Sequence, residues 1–409
     1  MKFIFRIVKN SFFGPIIFIL IYFITPLIII NILKINFFSK EISYIVVFIF
    51  LIFISEIIFS YVYKKLNSEA YEKKQKIPFK NIAVEPHPNL PFILKKKFVS
   101  SVKPSKLNYP LNNEVYSMPE LMTNNLGYVN GIDGGRDVLV PKPKNIFRIN
   151  CIGASTTQYY LKYGSSVYSY PLELEKILKE KNKENLEVNN CGTGGYASSD
   201  ILVRFLLQNL DTNPDVIVLY HAYNDIRSYL TSNFQSDYSH SRKNLGENYF
   251  KFYLGSFLPY IPLNFINYLQ NKWYPQNHRY TLVESISRGD FKIENNTDLE
   301  KGLEAYRRNL QNIITICKSN KIQIILCSFC FYLHESVKNK KIHKFYKDIV
   351  IKENIILKKL ADVNQVDFVD TYNLIPKTDE NFLDTIHFTH SGMKLLAAEI
   401  SKKIKIKLE

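Results

Sequence analysis

The sequence predicts an α/β protein with a parallel central sheet, preceded by a hydrophobic N-terminal region. From Asn145 onward, short apolar segments alternate with longer amphipathic ones, which is typical of a parallel sheet with helices on both faces. Before that point lie two long runs almost free of charge, at residues 11–33 and 42–63. Polar residues suited to chemistry follow several predicted strands, and sites in such sheets form at the carboxyl ends of strands.

The predicted strands are short, and the one at 215–220 is apolar, as expected of a strand buried on both faces. The predicted helix at 298–319 is long and amphipathic. Residues 198–200 (Ser-Ser-Asp) are capping candidates for the second helix. Residues 67–143 contain several prolines and are predicted to be irregular. In chain order, the predicted strands are 147–152, 186–190, 215–220, 322–329 and 366–369, and the predicted helices are 171–180, 198–210, 298–319, 343–363 and 391–404.

The composition limits the classes of protein to be considered. The chain has 409 residues, of which 46% are hydrophobic, enough for one large domain with appendages. Its 15 glycines and 17 prolines are too few for a collagen-like or linker-like chain. Five cysteines are an odd number spread over a long chain, which favours reduced, buried thiols over a disulfide framework.

The two hydrophobic runs predict a transmembrane hairpin at residues 1–66. The run at 11–33 has 23 residues and no charge, and the run at 42–63 carries only Glu56. Each is long enough to cross about 30 Å of hydrocarbon at ~1.5 Å per residue. A signal peptide is the alternative for the first run, but the run is too long and no small-residue cleavage site follows. A basic juxtamembrane segment at 67–143 comes next.

Positive charge is concentrated around the hairpin. Residues 1–107 hold 16 Lys and Arg against 5 Asp and Glu, so +11 of the formal net charge of +16 lies there. By the positive-inside rule, both ends of the hairpin face the cytoplasm of a bacterial inner membrane, with a periplasmic C-terminal domain as the alternative. The basic region suits anionic lipid headgroups. Nucleic acid is not an expected partner, because no nucleic-acid-binding motif accompanies the charge.

Ser155 is the first candidate for chemistry. It lies in the turn Gly153-Ala-Ser-Thr-Thr157, directly after the first strand of the sheet. Its own N–H and the start of a helix could stabilise an anion there. Serine is also a common helix cap, so the turn alone does not establish a nucleophile.

Two further turns supply hydrogen-bond donors. Gly195 follows the second strand and lacks a side chain, so its N–H could approach a reacting oxygen. Asn224 follows the third strand and could aim a side-chain amide at the same point. A plain strand-to-helix turn and an Asx-turn are the structural alternatives.

Asp384 and His387 form a carboxylate–imidazole pair near the C-terminus. They stand three positions apart at the start of the last predicted helix, so the carboxylate could hold the ring as a base. His390 is the nearest competitor, but no carboxylate stands at that spacing before it.

Taken together, these blocks resemble the SGNH hydrolase family of GDSL-type esterases, over about residues 120–409. The resemblance implies a flavodoxin-like three-layer sandwich at residues 144–409. It assigns Ser155 as the nucleophile, which also donates its N–H to the oxyanion hole. It assigns Gly195 and Asn224 as the other oxyanion-hole donors, Asp384 as the acid and His387 as the base.

The chain departs from the family pattern at three places. Ala154 replaces the expected Asp or Gly, and Ala222 replaces the Gly that usually opens the Asn-containing block. The Gly often found shortly after Thr157 is absent, and Gln158, Tyr159 and Tyr160 stand there instead. These changes affect the shape of the pocket and leave every catalytic side chain in place.

The resemblance implies acyl transfer through a covalent intermediate, which needs no cofactor and no metal. The expected protein is a membrane-anchored serine esterase that acts on an O-acyl ester, O-acetyl included, of a glycan or lipid-linked substrate. Two alternatives stay open. An O-acyltransferase would use the same triad, and an inactive scaffold would bind glycan or partner proteins without turnover.

An aromatic-rich insertion interrupts the predicted domain at residues 228–297. It holds 15 aromatic residues, among them Trp273, the only tryptophan of the chain. Loops this long are usually functional or form a subdomain. A lid, a sugar-stacking wall, a membrane-facing patch and a small core of its own are the alternatives.

Cys327 and Cys330 form a CxxC pair at the end of a predicted strand. A redox pair would normally open a helix, whereas here the chain continues apolar. The pair is therefore predicted to be a buried strand end, and no Cys and His spacing suggests zinc.

Overall fold

The structure is a computed structural model. It describes residues 24, 42, 45–51, 83–85, 87–99, 106–107, 116–117, 121–129, 136–163, 166–182, 185–229, 234–240, 297–333 and 340–406. The predicted span at 11–33 lies outside these ranges except for residue 24, and most of the span at 42–63 and of the insertion at 228–297 also lies outside them. Within these ranges, no helix has both the length and the apolar character needed to cross a membrane. The strands and helices below belong to one compact unit, residues 83–243 and 277–409.

Short apolar segments form the strands and amphipathic segments form the helices. The strands are β1 (Val84–Glu85), β2 (Ile93–Leu94), β3 (Lys106–Leu107), β4 (Tyr116–Ser117), β5 (Phe147–Gly153), β6 (Leu161–Tyr163), β7 (Ser166–Tyr168), β8 (Leu186–Asn190), β9 (Val216–Tyr220), β10 (Gln323–Cys327) and β11 (Asp367–Val369). The helices are α1 (Ser155–Gln158), α2 (Tyr170–Asn182), α3 (Ser198–Arg204), α4 (Asn224–Tyr229), α5 (Thr297–Ser319), α6 (Lys340–Asn364), α7 (Thr371–Leu374) and α8 (His390–Ser401).

Five parallel strands form the central sheet in the order β11-β10-β9-β5-β8. Numbered by their order along the chain, these strands run 2-1-3-4-5, which is the flavodoxin-like order. The order reverses between β5 and β9, and a crevice forms outside the carboxyl ends of the strands at such a reversal. The predicted α/β fold with a central parallel sheet is confirmed.

The helices pack in two groups. α2 packs against α8, whereas α5 packs against α3, α4 and α6. Right-handed crossovers in this strand order place the two groups on opposite faces of the sheet. The core between the layers is apolar; β9 is buried along its whole length. The result is a three-layer sandwich with its strand ends directed toward the candidate site.

The adjacent strands β5 and β8 carry buried polar side chains on one face of the sheet. Arg148 pairs in register with Glu187, and Asn150 with Asn189. Arg148 is fully buried and donates to Glu187. The Asn189 amide donates to Asn150 at 2.9 Å. Each buried polar group is thus matched across the strands, as burial in a low-dielectric interior requires.

The predicted elements of the sandwich are all present, with ends that shift by at most three residues, apart from α3. α3 continues as a π-helical turn at Phe205–Asn209 and a 3-10 turn at Leu210–Thr212. Of the three capping candidates, Asp200 takes part in the cap: Ala197 occupies the N-cap position, and the Asp200 carboxylate accepts the Ala197 N–H at 2.9 Å.

The short antiparallel strands were not expected. β1 pairs with β2, while β3, β4, β6 and β7 form a second sheet. The first four lie within residues 67–143, which are predicted to be irregular, and β6 and β7 form a hairpin directly after α1. Strands of two or three residues show no measurable period in sequence, so only backbone pairing over distance reveals them.

Candidate active site

Ser155 lies at the carboxyl end of β5, as the first residue of the four-residue helix α1. β5 ends at Gly153, where a Cβ atom would lie 2.5 Å from the carbonyl oxygen of Tyr220 and closer still to the Thr157 hydroxyl. Only glycine therefore fits between β5 and β9 at this turn. The Thr157 hydroxyl lies 3.3 Å from that of Tyr170, so the turn beneath Ser155 is closely packed.

A continuous chain of hydrogen bonds links Ser155 to two residues of the loop before α8. The Oγ atom of Ser155 is 3.2 Å from Nε2 of His387. On the other side of the ring, Nδ1 of His387 donates to Oδ2 of Asp384 at 2.8 Å. Because the Nδ1 proton faces this carboxylate, Nε2 is the acceptor for the Ser155 hydroxyl proton. Three predicted site residues thus lie together, although Ser155 and His387 are 232 positions apart.

Asp384 is held in its ionised form by its own loop. Its Oδ1 atom accepts the backbone N–H groups of Ile386 and His387, both at 2.8 Å. Desolvation acts to raise the pKa of Asp384, but the hydrogen bond and charge of His387 and the two N–H donors outweigh it and lower the pKa. An ionised Asp384 can orient the imidazole and stabilise its protonated form.

The loop around Asp384 and His387 is closed by backbone hydrogen bonds. The N–H of Leu383 donates to the carbonyl oxygen of His387 at 2.8 Å, and the N–H of Thr389 donates to that of Asn381 at 3.0 Å. Thr389 also caps α8, where its side chain accepts the N–H of Gly392. The imidazole therefore has a defined position before any substrate binds.

Gly195 lies in the turn of residues 192–195, which packs directly on α1. A Cβ atom on Gly192 would lie 2.3 Å from the backbone nitrogen of Gln158, and one on Gly194 would lie 3.7 Å from Cβ of Ser155. Gly195 itself has a φ angle of +83°, which glycine adopts without strain. Gly195, the predicted donor, therefore directly follows Gly194, which lies within van der Waals reach of Ser155.

Asn224 is the first residue of α4, at the carboxyl end of β9, and its side chain is buried. Its Nδ2 atom donates to the carbonyl oxygen of Tyr196 at 3.0 Å. Tyr196 is the residue directly after Gly195, so this bond ties the two predicted oxyanion-hole turns together. An amide carries two hydrogens, and one of them is used here.

A buried polar network lies behind the two turns. The carboxylate of Asp225 accepts the backbone N–H of Ser198 at 2.8 Å and the hydroxyls of Ser198 and Tyr238, each at 2.6 Å. Nε2 of His221 lies 2.6 Å from the same carboxylate. Desolvation acts to raise the pKa of Asp225, but His221 and the hydroxyl donors outweigh it and lower the pKa. Asp225 thus joins the start of α3 to the start of α4.

Other candidates from the sequence lie elsewhere. The ring of His390 packs on Tyr168 with ring centroids 3.5 Å apart. The histidine that bonds to both Ser155 and Asp384 is His387. The five cysteines are buried and free, which confirms the prediction for the thiols. Burial raises the pKa of Cys330 to about 11. In the ranges that the structure describes, no group of His, Cys, Asp and Glu side chains could hold a metal ion.

Two neighbours of Ser155 were not among the predicted site residues. The side-chain oxygen of Gln158 accepts the backbone N–H of Gly194. The ring of Tyr159 packs against the imidazole of His387, with centroids 4.9 Å apart. The signal was available in sequence, because both residues stand where the resemblance leads one to expect glycine. Their contacts depend on segments distant in the chain, which the sequence alone does not bring together.

Known proteins resemble this chain at two levels. The model of the GDSL-like lipase/acylhydrolase family matches residues 151–395, which include all five predicted site residues. No curated protein matches the chain.

Several solved structures are also similar. The lipase/acylhydrolase from Enterococcus faecalis is 17% identical, with 63% of this chain and 94% of that one covered and a TM-score of 0.39. A GDSL-like lipase from Bacteroides thetaiotaomicron is 15% identical, with 64% and 90% covered and a TM-score of 0.37. An acetylxylan esterase from Geobacillus stearothermophilus is 16% identical, with 65% and 98% covered and a TM-score of 0.37.

Proposed function

Because this chain belongs to the GDSL-like lipase/acylhydrolase family and is therefore an enzyme that hydrolyses ester bonds, we propose that Ser155, His387 and Asp384 form its catalytic triad. The observation that carries the proposal is the unbroken chain of hydrogen bonds from Asp384 through His387 to the Ser155 hydroxyl. A carboxylate, an imidazole and a hydroxyl in this order suit acyl transfer through a covalent intermediate.

The first step forms an acyl-enzyme. The Ser155 Oγ atom attacks the ester carbonyl carbon while Nε2 of His387 takes the hydroxyl proton. Asp384 keeps its hydrogen bond to Nδ1 and stabilises the imidazolium that results. When the tetrahedral intermediate collapses, the C–O bond to the alcohol breaks and His387 donates the proton to the departing oxygen. The acyl group then remains on Ser155 as an ester.

The oxyanion of that intermediate is stabilised by three donors in this proposal, the N–H groups of Ser155 and Gly195 and the side-chain amide of Asn224. Three observations support the assignment. Ser155 begins a helix, the turn before Gly195 lies against Ser155, and the Asn224 amide is bonded to the residue after Gly195. Each such donor is worth about 2.7–4 kcal/mol at the transition state.

The second step releases the acyl group. His387 removes a proton from water, the resulting nucleophile attacks the acyl carbon, and the proton returns to Ser155 as the bond to Oγ breaks. A sugar hydroxyl in place of water would make the same residues an O-acyltransferase. Product analysis with a labelled acyl donor and a sugar acceptor separates the two, because only transfer yields an acylated sugar.

The substrate class is a finer proposal, an O-acyl ester, O-acetyl included, of a glycan or lipid-linked molecule. It depends on attachment to the membrane, which the uncharged runs at 11–33 and 42–63 and the basic residues around them support. The same charge pattern supports a cytoplasmic domain. A reporter fused to the C-terminus tests this, since cytoplasmic reporter activity is expected and periplasmic activity would reverse the orientation.

Hydrolysis of p-nitrophenyl esters tests the chemistry directly. The full chain in detergent micelles is assayed on the acetate and the octanoate, beside a Ser155→Ala variant. We expect turnover that disappears in the variant, and the acetate-to-octanoate ratio reports on the acyl chain. A serine-directed phosphonate should label the wild type and not the variant. Turnover that persists in Ser155→Ala would exclude Ser155 as nucleophile, and absent labelling would favour a binding scaffold.

A further inference from the structure

Gln158 connects the helix of the nucleophile to the turn of an oxyanion-hole donor. It is the last residue of α1, the helix that begins with Ser155. Its Oε1 atom accepts the backbone N–H of Gly194. Only the oxygen end of the amide can accept from an N–H, so this contact determines which end of the Gln158 amide faces the turn.

The fit around this hydrogen bond is close. A Cβ atom on Gly194 would lie 3.1 Å from Oε1 of Gln158 and 3.7 Å from Cβ of Ser155. The backbone of the same turn is also bonded to β5, where the N–H of Thr193 donates to the carbonyl oxygen of Gly153 at 3.1 Å. The turn is therefore held at two successive residues just before the left-handed Gly195.

We propose that Gln158 is a positioning residue for the oxyanion hole. By accepting the Gly194 N–H, it fixes the plane of the Thr193–Gly194 peptide. The next peptide, which carries the Gly195 N–H, is thereby directed toward the ester oxygen. This inference rests on the proposed esterase function. Gln158 acts through Gly194 and does not itself contact the reacting atoms.

A neutral acceptor suits this position better than a charged one. A carboxylate would accept the same N–H, but it would also place a negative charge beside an oxygen that becomes negative in the transition state. The proposal therefore predicts that Gln158→Met and Gln158→Glu each impair catalysis, for different reasons. Gln158→Met removes the acceptor, and Gln158→Glu keeps the acceptor but adds the opposing charge.

The test uses the full chain in detergent micelles with p-nitrophenyl acetate. We expect Gln158→Met to lower kcat about tenfold with KM changed by less than about twofold, because a displaced donor weakens transition-state binding selectively. A boronic acid, which forms a tetrahedral adduct with the active-site serine, should lose affinity by the same factor. Gln158→Glu should also lower kcat and weaken the boronic acid.

Gln323→Met is the matched control. Oε1 of Gln323 likewise accepts a backbone N–H, from Lys405 at 3.2 Å, but it lies at the amino end of β10, on the opposite edge of the sheet. Its kcat should equal that of the wild type. A loss of kcat in Gln323→Met as large as in Gln158→Met would show a general effect of lost packing and overturn the proposal.

Two further results would overturn it. One is wild-type kcat and boronic acid affinity in Gln158→Met. The other, which decides the matter if Gln158→Met does not fold, is wild-type kcat and boronic acid affinity in Gln158→Leu, which also lacks the acceptor. Ser155→Ala separates this inference from the proposed function. If Ser155→Ala remains active, the proposed function fails; if it is inactive while Gln158→Met keeps full activity, only the role of Gln158 fails.

Discussion

The molecule contains two Asp–His pairs whose nitrogen–oxygen distances are similar but whose burial differs. Nε2 of His221 lies 2.6 Å from Asp225, and the two side chains are 1% and 0% exposed. Nδ1 of His387 lies 2.8 Å from Asp384, and those side chains are 20% and 45% exposed. The spacing along the chain is four residues in the first pair and three in the second. Residue type and short distance are therefore shared by a fully buried pair and by the pair proposed for the triad.

The partners of each pair do separate them. The Asp225 carboxylate is occupied by Ser198 and Tyr238 as well as by its histidine, and Nδ1 of His221 is buried without a hydrogen bond in the described part of the chain. Nε2 of His387 faces the Ser155 hydroxyl instead. An Asp–His pair becomes chemically useful when its outer nitrogen meets a nucleophile at a surface that substrate can reach.

The largest expected difference between the pairs comes from removing each imidazole. His387→Ala should lower kcat by more than about 10⁴-fold while leaving the fold intact, because the proposed base is lost. His221→Ala should chiefly lower the free energy of unfolding, because it removes a partner of a buried carboxylate. Ester hydrolysis and urea unfolding followed by circular dichroism measure both. A His387→Ala variant that keeps more than a few per cent of the activity would contradict the assignment.

The next effect concerns the carboxylate of the part-buried pair, Asp384. Asp384→Asn should lower kcat by about 10³- to 10⁴-fold, because an amide no longer holds the imidazole in the productive tautomer. Asp362→Asn is the control, since Asp362 is exposed on α6 and pairs only with Lys358 among the ion pairs described. Equal kcat values for Asp384→Asn and Asp362→Asn would exclude Asp384 from the triad.

The buried pair should respond in stability. Asp225→Asn should lower the free energy of unfolding by about 3–5 kcal/mol, because it breaks a fully buried pair and leaves donors without an acceptor. Urea unfolding monitored by circular dichroism gives the value. A loss below about 1 kcal/mol would mean that the network around Asp225 contributes little to folding.

The smallest expected effect is a change in pH dependence at Glu353, whose buried carboxyl receives a hydrogen bond from Tyr229 at 3.1 Å. Burial, with the charge of Asp225, raises the pKa of Glu353 well above its usual value. The folded state thus keeps a proton that the unfolded chain releases above pH ~4.3. Stability from this group is present below that pH and is lost as pH rises toward the folded pKa.

Glu353→Gln removes the titrating group. The stability of this variant relative to that of the wild type should therefore increase as the pH rises. Melting temperatures of both proteins between pH 5 and pH 8 measure this trend. Parallel curves for the two proteins would show that Glu353 is ionised in the folded state. Asp225 has the opposite sign, since its lowered pKa stabilises the fold at higher pH and that contribution is lost as pH falls.

Much of the fold was predictable because its signals are local. β5 and β9 were recognised from short apolar runs, and Ser155, Gly195 and Asn224 from their places after β5, β8 and β9. The strand at 147–152 was predicted, but the paired burial of Arg148 and Asn150 within it was not, because their partners lie on another strand. The hairpin of β6 and β7 was missed for a different reason, because its strands are too short to show a period in the sequence.

The sequence by itself determined the order of strands and helices, the flavodoxin-like architecture and the residues that could perform acyl transfer. The order of strands and helices follows from apolar periodicity, and the candidate residues follow from their positions at strand ends. The flavodoxin-like architecture and the acyl-transfer chemistry are what the resemblance to the SGNH hydrolase family implies. Only the tertiary structure showed that the predicted base His387 reaches Ser155, that His221 pairs instead with the buried Asp225, and that Gln158 holds the Gly194 turn. Those outcomes depend on burial and on contacts between segments far apart in the chain, which local pattern does not specify.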